Sequence, residues 1–517
     1  MSVSPAPSRT SVHGEKEEIA HVEDTNIERG GNDLSPEDAS WLASFPESRK
    51  KAVVRKIDIR LVPLLTFLYL FSFIDRANIG NAKIEGLEDD LKITPQQYNI
   101  ALSVFFIPYI VFEVPSNYIL TKFKKPSTYI GGIIVAWGTV MTLMGIVQNF
   151  GGLVAARFML GVTEAGFFPG AVYIISQWYL PNEIQTRIAI FYSASALAGA
   201  ISGLLAFAIA RMDGVGGLNG WRWIFLLEGI ATVLAGLLCF FFLIDSPETS
   251  AWLEDDEVRF LRLRRLAQVG MVQKKKTAGK KTVEWKILRS VLTDWQIYFQ
   301  ALIYISSTVP NYGMKFTMPQ IIKNMGYKSS NAQLLTIPPY CAGAISAFLS
   351  AMFADRFTWR MPFIVGPLSV LVTALAILFS FSSDVKGHVA AMYVGVVLAQ
   401  IGTYPLLPGI SSWIGNNLAP SWKRSIGLAW LLAAGNIGSL IGTNIFLDRE
   451  GPRYPTGYGT SLGIICLAMV VACVLEFCFW TMNKAKSRIP ESEVREKYTQ
   501  EQLDGMGEKS PLFQYML

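Results

Sequence analysis

The sequence predicts an all-α polytopic membrane protein with twelve spanning helices arranged as two six-helix pseudo-repeats. Three observations lead there. First, the chain of 517 residues is 51% hydrophobic and only 17% charged, with a mean hydropathy of +0.34. An ordinary soluble domain carries about a quarter charged residues. Second, long apolar runs recur, among them Leu61 to Ile74, Ile130 to Val147 and Val365 to Phe381. A helix crossing a bilayer needs roughly 20 mostly apolar residues. Third, Pro169, Gly170, Pro181, Gly199 and Gly203 recur as Pro408, Gly409, Pro420, Gly438 and Gly442, each displaced by 239. One such match means little, but five at a single offset mark an internal repeat.

The helices are expected near 59–81, 98–119, 128–147, 152–179, 187–210, 221–244, 295–316, 332–354, 362–381, 388–415, 424–446 and 459–482. The organisation that follows is a polar, Ser/Pro/Glu-containing disordered tail over 1–50, a six-helix bundle over 51–245 and a hydrophilic central loop over 246–294. A second bundle over 295–483 and a tail over 484–517 complete it. No signal peptide is visible in the first fifty residues, so insertion is expected to begin at the first internal helix.

Lysine and arginine crowd alternate loops: Arg49 to Arg60, Lys122 to Lys125, the central loop, Arg356 with Arg360, Lys423 with Arg424, and Lys484 to Arg488. The intervening loops hold scattered ones such as Lys83, Lys323 and Arg449. By the positive-inside rule both termini and the central loop are expected in the cytoplasm. The net charge of +6 is accounted for by these loops and not by a nucleic-acid footprint. The five cysteines lie in apolar runs, without disulfide or metal-ligand spacing, and are expected to be small buried hydrophobes. No Asn-x-Ser/Thr sequon is present.

Ionisable groups inside spanning segments are expensive and mark function by default. Here they are Asp75, Arg76, Glu113, Arg157, Glu164, Glu228, Lys315 and Glu476. Counting the helical rise, Arg76 sits about 21 Å into a core of about 30 Å, and Arg157 roughly 8 Å below the opposite surface. The two guanidiniums are thus expected at a similar level, each able to hold a carboxylate through paired N–H donors. Tyr69 and Ser72 share the face of Arg76, and Glu164 shares that of Arg157, about 10 Å deeper. The chemistry implied is an anion caught by arginine above a carboxylate that can take a proton. The alternative is that Arg157 and Glu164 ion-pair to hold their helix against a neighbour. Asp75, on another face from Arg76, is expected in a structural or gating pair. Adding the repeat offset to Arg76 lands on Lys315, which either faces the same cavity from the other half or snorkels to the surface. Glu113, Glu228 and Glu476 are expected in structural roles.

These residues carry a resemblance. Asp75-Arg76-Ala77-Asn78-Ile79-Gly80-Asn81-Ala82 resembles the D-R-x-N-x-G-x-A of the anion:cation symporter family of the major facilitator superfamily. Arg157 through Gly161, Glu164, Gly166 and Pro169-Gly170 is similar to its R-x-x-x-G-x-x-E-x-G-x-x-P-G. The likeness runs over about residues 55 to 485 and implies the major facilitator fold. The cytoplasmic loop motif of the superfamily, G-x-x-x-D-R-x-G-R-x, is matched by Ala351 to Arg360, which implies gating roles for Asp355, Arg356 and Arg360. Its first-half copy, from Pro115 to Pro126, lacks the acidic residue; Asn117 or Glu113 would have to substitute. Val114 to Asn117, Asp245 to Leu253, and Trp413 with Asn416 and Asn417 resemble the fungal allantoate, nicotinate and pantothenate permeases.

The resemblance implies proton-coupled uptake of a small organic carboxylate, with Arg76 and Arg157 binding substrate and Glu164 coupling the proton. Lys315 and the wall residues Tyr69, Asn311, Tyr312, Tyr404 and Asn436 are further substrate-binding candidates. The proton gradient is the only cofactor expected, the bilayer and the organic anion the only partners, the state monomeric and the site the plasma membrane. Export of a drug or secondary metabolite on the same fold is the alternative; helix 5 reads Ala198 to Gly203 without proline, which counts against it. A non-transporting nutrient sensor would be expected to carry longer tails. An enzyme is disfavoured because the chain shows no Ser/His/Asp set, metal cluster or phosphate loop.

Overall fold

The computed structural model describes residues 35–120, 122–250, 252–273, 293–356, 359–419, 421–499, 502–503 and 506–517. The expected tail over 1–34, the lysines of 274–281 and Pro420 lie outside them. The described chain is helical, with twelve long helices in two sets of six. They are α1 Glu47–Ile84, α2 Pro95–Leu120, α3 Pro126–Met144, α4 in two segments, Phe150–Glu164 and Phe167–Trp178, α5 Pro181–Ile209 and α6 Gly220–Phe242. The second set is α7 Trp295–Asn324, α8 Ile337–Arg356, α9 Pro362–Phe381, α10 Val389–Asn417, α11 Ser421–Ile445 and α12 Pro455–Lys486. Nine of the described helices are apolar and long enough to cross a membrane. Three further long helices, α5, α7 and α11, pack among the nine.

Two compact units emerge. The smaller takes in the start of the chain through Ile57 and residues 246–284. Here the expected disordered tail gives way, over residues 36–44, to a helix. Ser35 caps it by accepting from the Asp38 amide at 3.1 Å, with a proline in its first turn. Phe45 stacks on Phe260 at 4.7 Å, and Arg259 pairs with Asp38 at 2.8 Å. The central loop is itself helical over Asp255–Gln273. Apolar and charged partners distant in sequence therefore order residues whose local composition reads as unstructured.

The larger unit holds both six-helix sets, Asp58–Asp245 and Trp285–Leu517. The sets meet along two helix pairs, α5 with α8 and α2 with α11. Glycines let the backbones approach. A Cβ on Gly80 would stand 2.8 Å from the Phe316 carbonyl oxygen of α7, and one on Gly203 2.8 Å from that of Gln333, just before α8. Small residues at helix contacts are how membrane bundles gain close packing without a hydrophobic drive between helices.

Bonds between the sets gather at one end. Lys83 pairs with Asp448 at 2.5 Å, Lys323 donates to the Ile84 carbonyl at 2.9 Å, and Gln333 donates to Glu85 at 3.1 Å. Burial pushes the Glu88 carboxyl beside them above its usual range; Lys83 opposes the shift and Asp448 adds to it. Towards the other end the bonds run within each set. Arg187 grips Asp58 at 2.9 Å, and Asp245 accepts from the Ser127 amide at 2.6 Å.

The Gly80 contact is testable. Gly80→Ala forces a methyl group into a backbone carbonyl and is expected to cost about 1–3 kcal/mol. Gly132→Ala meets nothing within 4 Å and should leave stability unchanged or slightly raised. Thermal unfolding of the purified protein in detergent reads both, and equal melting temperatures for the two variants would refute the close approach.

Candidate functional site

The charged residues of α1 divide by helix face. Asp75 points between α3 and α6, where its Oδ2 accepts from Trp137 Nε1 and from Thr232 Oγ1, both at 3.0 Å. Behind it, Asn78 donates to Glu228, and Ser202 donates to Asn78 at 3.2 Å while accepting from Asn81 at 2.8 Å. Asp75 and Glu228 thus bind α1 to α3 and α6, and Asn78 and Asn81 bind it to α5.

Arg76 lies on the other face, 6% exposed. Its Nε donates to Glu164 Oε1 at 2.7 Å, and Ser72, one turn earlier on α1, donates to the same oxygen. Three aromatic faces enclose the guanidinium: Tyr109 at 4.6 Å, Phe105 at 5.3 Å and Phe73 at 5.4 Å. Phe105 and Tyr109 stand one turn apart on α2, so both rings turn the same way. Glu164 reaches Arg76 because α4 lies almost on the α2 backbone: a Cβ on Gly161 would overlap the Phe105 carbonyl, and one on Gly166 the Ser116 hydroxyl. The helix breaks just after Glu164, at Ala165 and Gly166.

Arg157 is two turns back on α4 and 2% exposed. It sits over the other neighbour of the same aromatic wall, 5.8 Å from the Phe105 ring, and its Nε has no hydrogen-bond partner among the described residues. Lys315 reaches in from α7. Its ammonium stands 4.1 Å from the Phe73 ring and 5.8 Å from that of Tyr312, buried and likewise without a hydrogen-bond partner among the described residues. The Lys315 side chain is thus buried and does not extend to the surface. Arg76 and Lys315, one from each set, therefore share the Phe73 ring.

The arrangement differs from the sequence expectation in one respect. Glu164 does not lie apart from Arg76 and below Arg157; it is bonded to Arg76 itself, while both guanidiniums stand on the Phe105 ring. The cause is the close packing of α4 on α2, which a count of helical rise ignores. Of the three buried cations only Arg76 is in direct contact with the carboxylate of Glu164, whose second oxygen, Oε2, has no hydrogen-bond partner among the described residues. Glu113 stands one turn beyond Tyr109 on α2 and is half-buried.

The wall candidates separate. Tyr69 is buried in an aromatic cluster, 4.2 Å from the Phe191 ring and 4.8 Å from that of Phe73. Tyr312 meets Phe106 edge-on at 5.4 Å, closing the seam between the sets. Tyr404 packs edge-on against Tyr340 at 6.3 Å. Asn311 and Asn436 are half-buried on α7 and α11, and neither bonds to the charged cluster among the described residues. Phe73, Phe105 and Tyr109 were not singled out from the sequence; the signal was there, since a cation inside a bundle needs an aromatic or anionic face and Phe73 stands one turn before Arg76. Of the gating candidates, the side chains of Asp355 and Arg356 lie outside the described residues. Arg360 donates from Nη1 to the Ala354 carbonyl at 2.8 Å. Glu476 accepts from Trp359 at 2.8 Å. The cysteines differ from expectation: Cys239 is buried, while Cys341 and Cys473 are exposed on the outside of the bundle.

Comparison with known proteins adds a family. Residues 65–443 match the Major Facilitator Superfamily. The chain is 35% identical to the MFS-type transporter cnsO of Penicillium expansum, over 92% of each chain. It is 32% identical to the MFS transporter prlL of a fungal species, covering 87% of this chain and 90% of that one. Among solved structures it resembles a bacterial homologue of the human lysosomal transporter Spinster, inward-facing and occupied, with a TM-score of 0.60 and 16% identity over 81% and 95% of the two chains. A D-xylose-proton symporter aligns with a TM-score of 0.61 and 15% identity over 81% and 97%. At these identities the structural likeness is one of fold.

The Arg76–Glu164 pair makes its own prediction. Removing one partner strands a buried charge, so Arg76→Ala and Glu164→Ala are each expected to cost about 3–5 kcal/mol. The double variant should lose less than their sum. A double-mutant cycle on thermal or denaturant unfolding measures this, and strict additivity would show that the two side chains do not interact.

Proposed function

The chain belongs to the Major Facilitator Superfamily and is a membrane transporter of small molecules, and on that premise we propose that it takes up a small organic carboxylate together with a proton, by alternating access. One observation carries the reading: Arg157 and Lys315 are buried cations with an unpartnered nitrogen each, beside an arginine that already has its carboxylate. Such a cluster has an excess of positive charge in a medium where charge is costly. A carboxylate in contact with Arg157 and Lys315 would relieve it. The aromatic faces shield the cations, and the unpartnered Arg157 Nε and Lys315 Nζ are donors a carboxylate would satisfy.

Glu164 supplies the coupling. Ionised, it occupies Arg76. Protonated, it no longer neutralises that guanidinium, which is then available to the substrate. Proton and carboxylate thus enter on opposite sides of the same ion pair, and each favours the other. The substrate would be of the nicotinate, pantothenate or allantoate kind. The protein would lie in the plasma membrane with both ends of the chain in the cytoplasm. In that orientation the end bridged by Lys83 and Asp448 is the outer one.

The test is uptake of labelled nicotinate, pantothenate, biotin and allantoate into expressing cells at pH 5 and 7.5. One compound should accumulate faster at pH 5, and Arg157→Ala should reduce that uptake at least tenfold. Glu164→Gln, which cannot release a proton, should abolish the pH dependence of whatever transport remains. A surface-localised protein that takes up none of them and instead speeds the loss of preloaded compounds would replace this reading with export.

A further inference from the structure

The Trp413, Asn416 and Asn417 group on α10, far along the helix from the charged cluster, has a partner in residues 506–517. Two asparagines read two consecutive backbone amides of that segment. Asn483 donates to the Tyr515 carbonyl and accepts from the Tyr515 amide, both at 2.7 Å. Asn417 does the same for Met516, at 2.9 Å and 2.7 Å, and Trp413 Nε1 adds a bond to the Met516 carbonyl at 3.0 Å. The Leu517 carbonyl accepts from the amide of Arg360. The Tyr515 ring lies flat on Phe479, centroids 4.7 Å apart and 6° from parallel. Its hydroxyl accepts from Gln296 at 3.2 Å. Glu508 pairs with Lys423, which also holds Asp294 at 2.5 Å. Lys486 donates to the Glu508 carbonyl at 2.6 Å.

The segment therefore ties together the ends of α7, α10, α11 and α12 and the loop that carries Arg360. What it ties is able to move. α10 contains Pro405 and Pro408, and α7 contains Pro310 and Pro319; proline inside a helix removes a backbone bond and permits bending there. Asn417 and Trp413 lie beyond the α10 prolines, so a swing of that end would break the asparagine clamps. At the opposite end of the bundle the two sets are bridged.

We propose that residues 506–517 are a detachable strap: docked, they hold this end in the arrangement that goes with closure of the opposite end, and their release favours opening there. The strap rests on the alternating-access reading but on no substrate. The clamps are made to backbone amides, bonds that any residue except proline at 515 and 516 could offer, so the side chains that decide docking are Asn417, Asn483 and the stacked Tyr515.

The experiment reads the far end. Asn444 donates to Ser103 at 2.7 Å across the seam, so Ser103→Cys with Asn444→Cys, in a full chain whose five cysteines are alanine, reports closure as the rate of oxidative cross-linking in lipid vesicles. Asn417→Ala with Asn483→Ala should slow that rate at least threefold, whereas Tyr515→Phe, which keeps the ring stack, should leave it unchanged. Hydrogen exchange at residues 510–517 verifies release, and a chain ending at residue 505 serves as the second release variant. Release with an unchanged cross-linking rate overturns the proposal. So does failure of both release variants to fold, because the segment would then be a fixed part of the bundle. Because no ligand is used, a negative result here leaves the carboxylate reading standing, and a failed uptake assay leaves the strap standing.

Discussion

Holding three cations inside a helical bundle is the constraint around which this molecule is arranged. An isolated charge costs several kcal/mol or more to bury. The protein meets that cost in three ways. Arg76 takes Glu164 as counter-ion. Aromatic rings from α1, α2 and α7 cover the faces of Arg76, Arg157 and Lys315. The remaining carboxylates on α1 and α6, Asp75 and Glu228, are kept apart from the cations by hydrogen-bond donors on neighbouring helices. The first device fixes where α4 must lie, and the second requires α2 to present Phe105 and Tyr109 on one face.

The glycines follow from this. Glu164 spans to Arg76 only if α4 rides on the α2 backbone, and Gly161 and Gly166 are the residues that allow it. Gly80, one turn past Arg76, lets α1 meet α7 closely enough for Lys315 to stand on Phe73. The same close packing makes the seam between the two sets a place where small displacements are either accepted whole or refused. Bonds at one end and a twelve-residue segment clamped at the other are then the two places where such a displacement is held or released.

The repeat was legible as an offset but not as a contact. Gly199 and Gly438 occupy equivalent positions, and both are points of close approach, yet Gly199 meets Tyr340 of α8 across the seam while Gly438 meets α7 within its own set. Likewise the offset from Arg76 to Lys315 left open whether the lysine turns inward or to the surface, and gave no sign that both cations would meet one ring, Phe73. The pairing of Glu164 was also beyond reach of the sequence. Residue counts along ideal helices placed it with Arg157, because they contain no information on helix tilt.

Composition, helix-length apolar runs and the 239-residue offset were enough to establish twelve spanning helices in two related sets. In a bilayer every backbone group must be bonded within its own helix, so hydropathy alone reports where helices are. The identity of the charged residues was equally legible, since each stands out against an apolar run. Which charge neutralises which, which rings cover them, and what residues 506–517 dock against were decided only by the tertiary structure. Those are contacts between segments tens to hundreds of residues apart, and their geometry is set by how closely two backbones can approach, which no local pattern encodes.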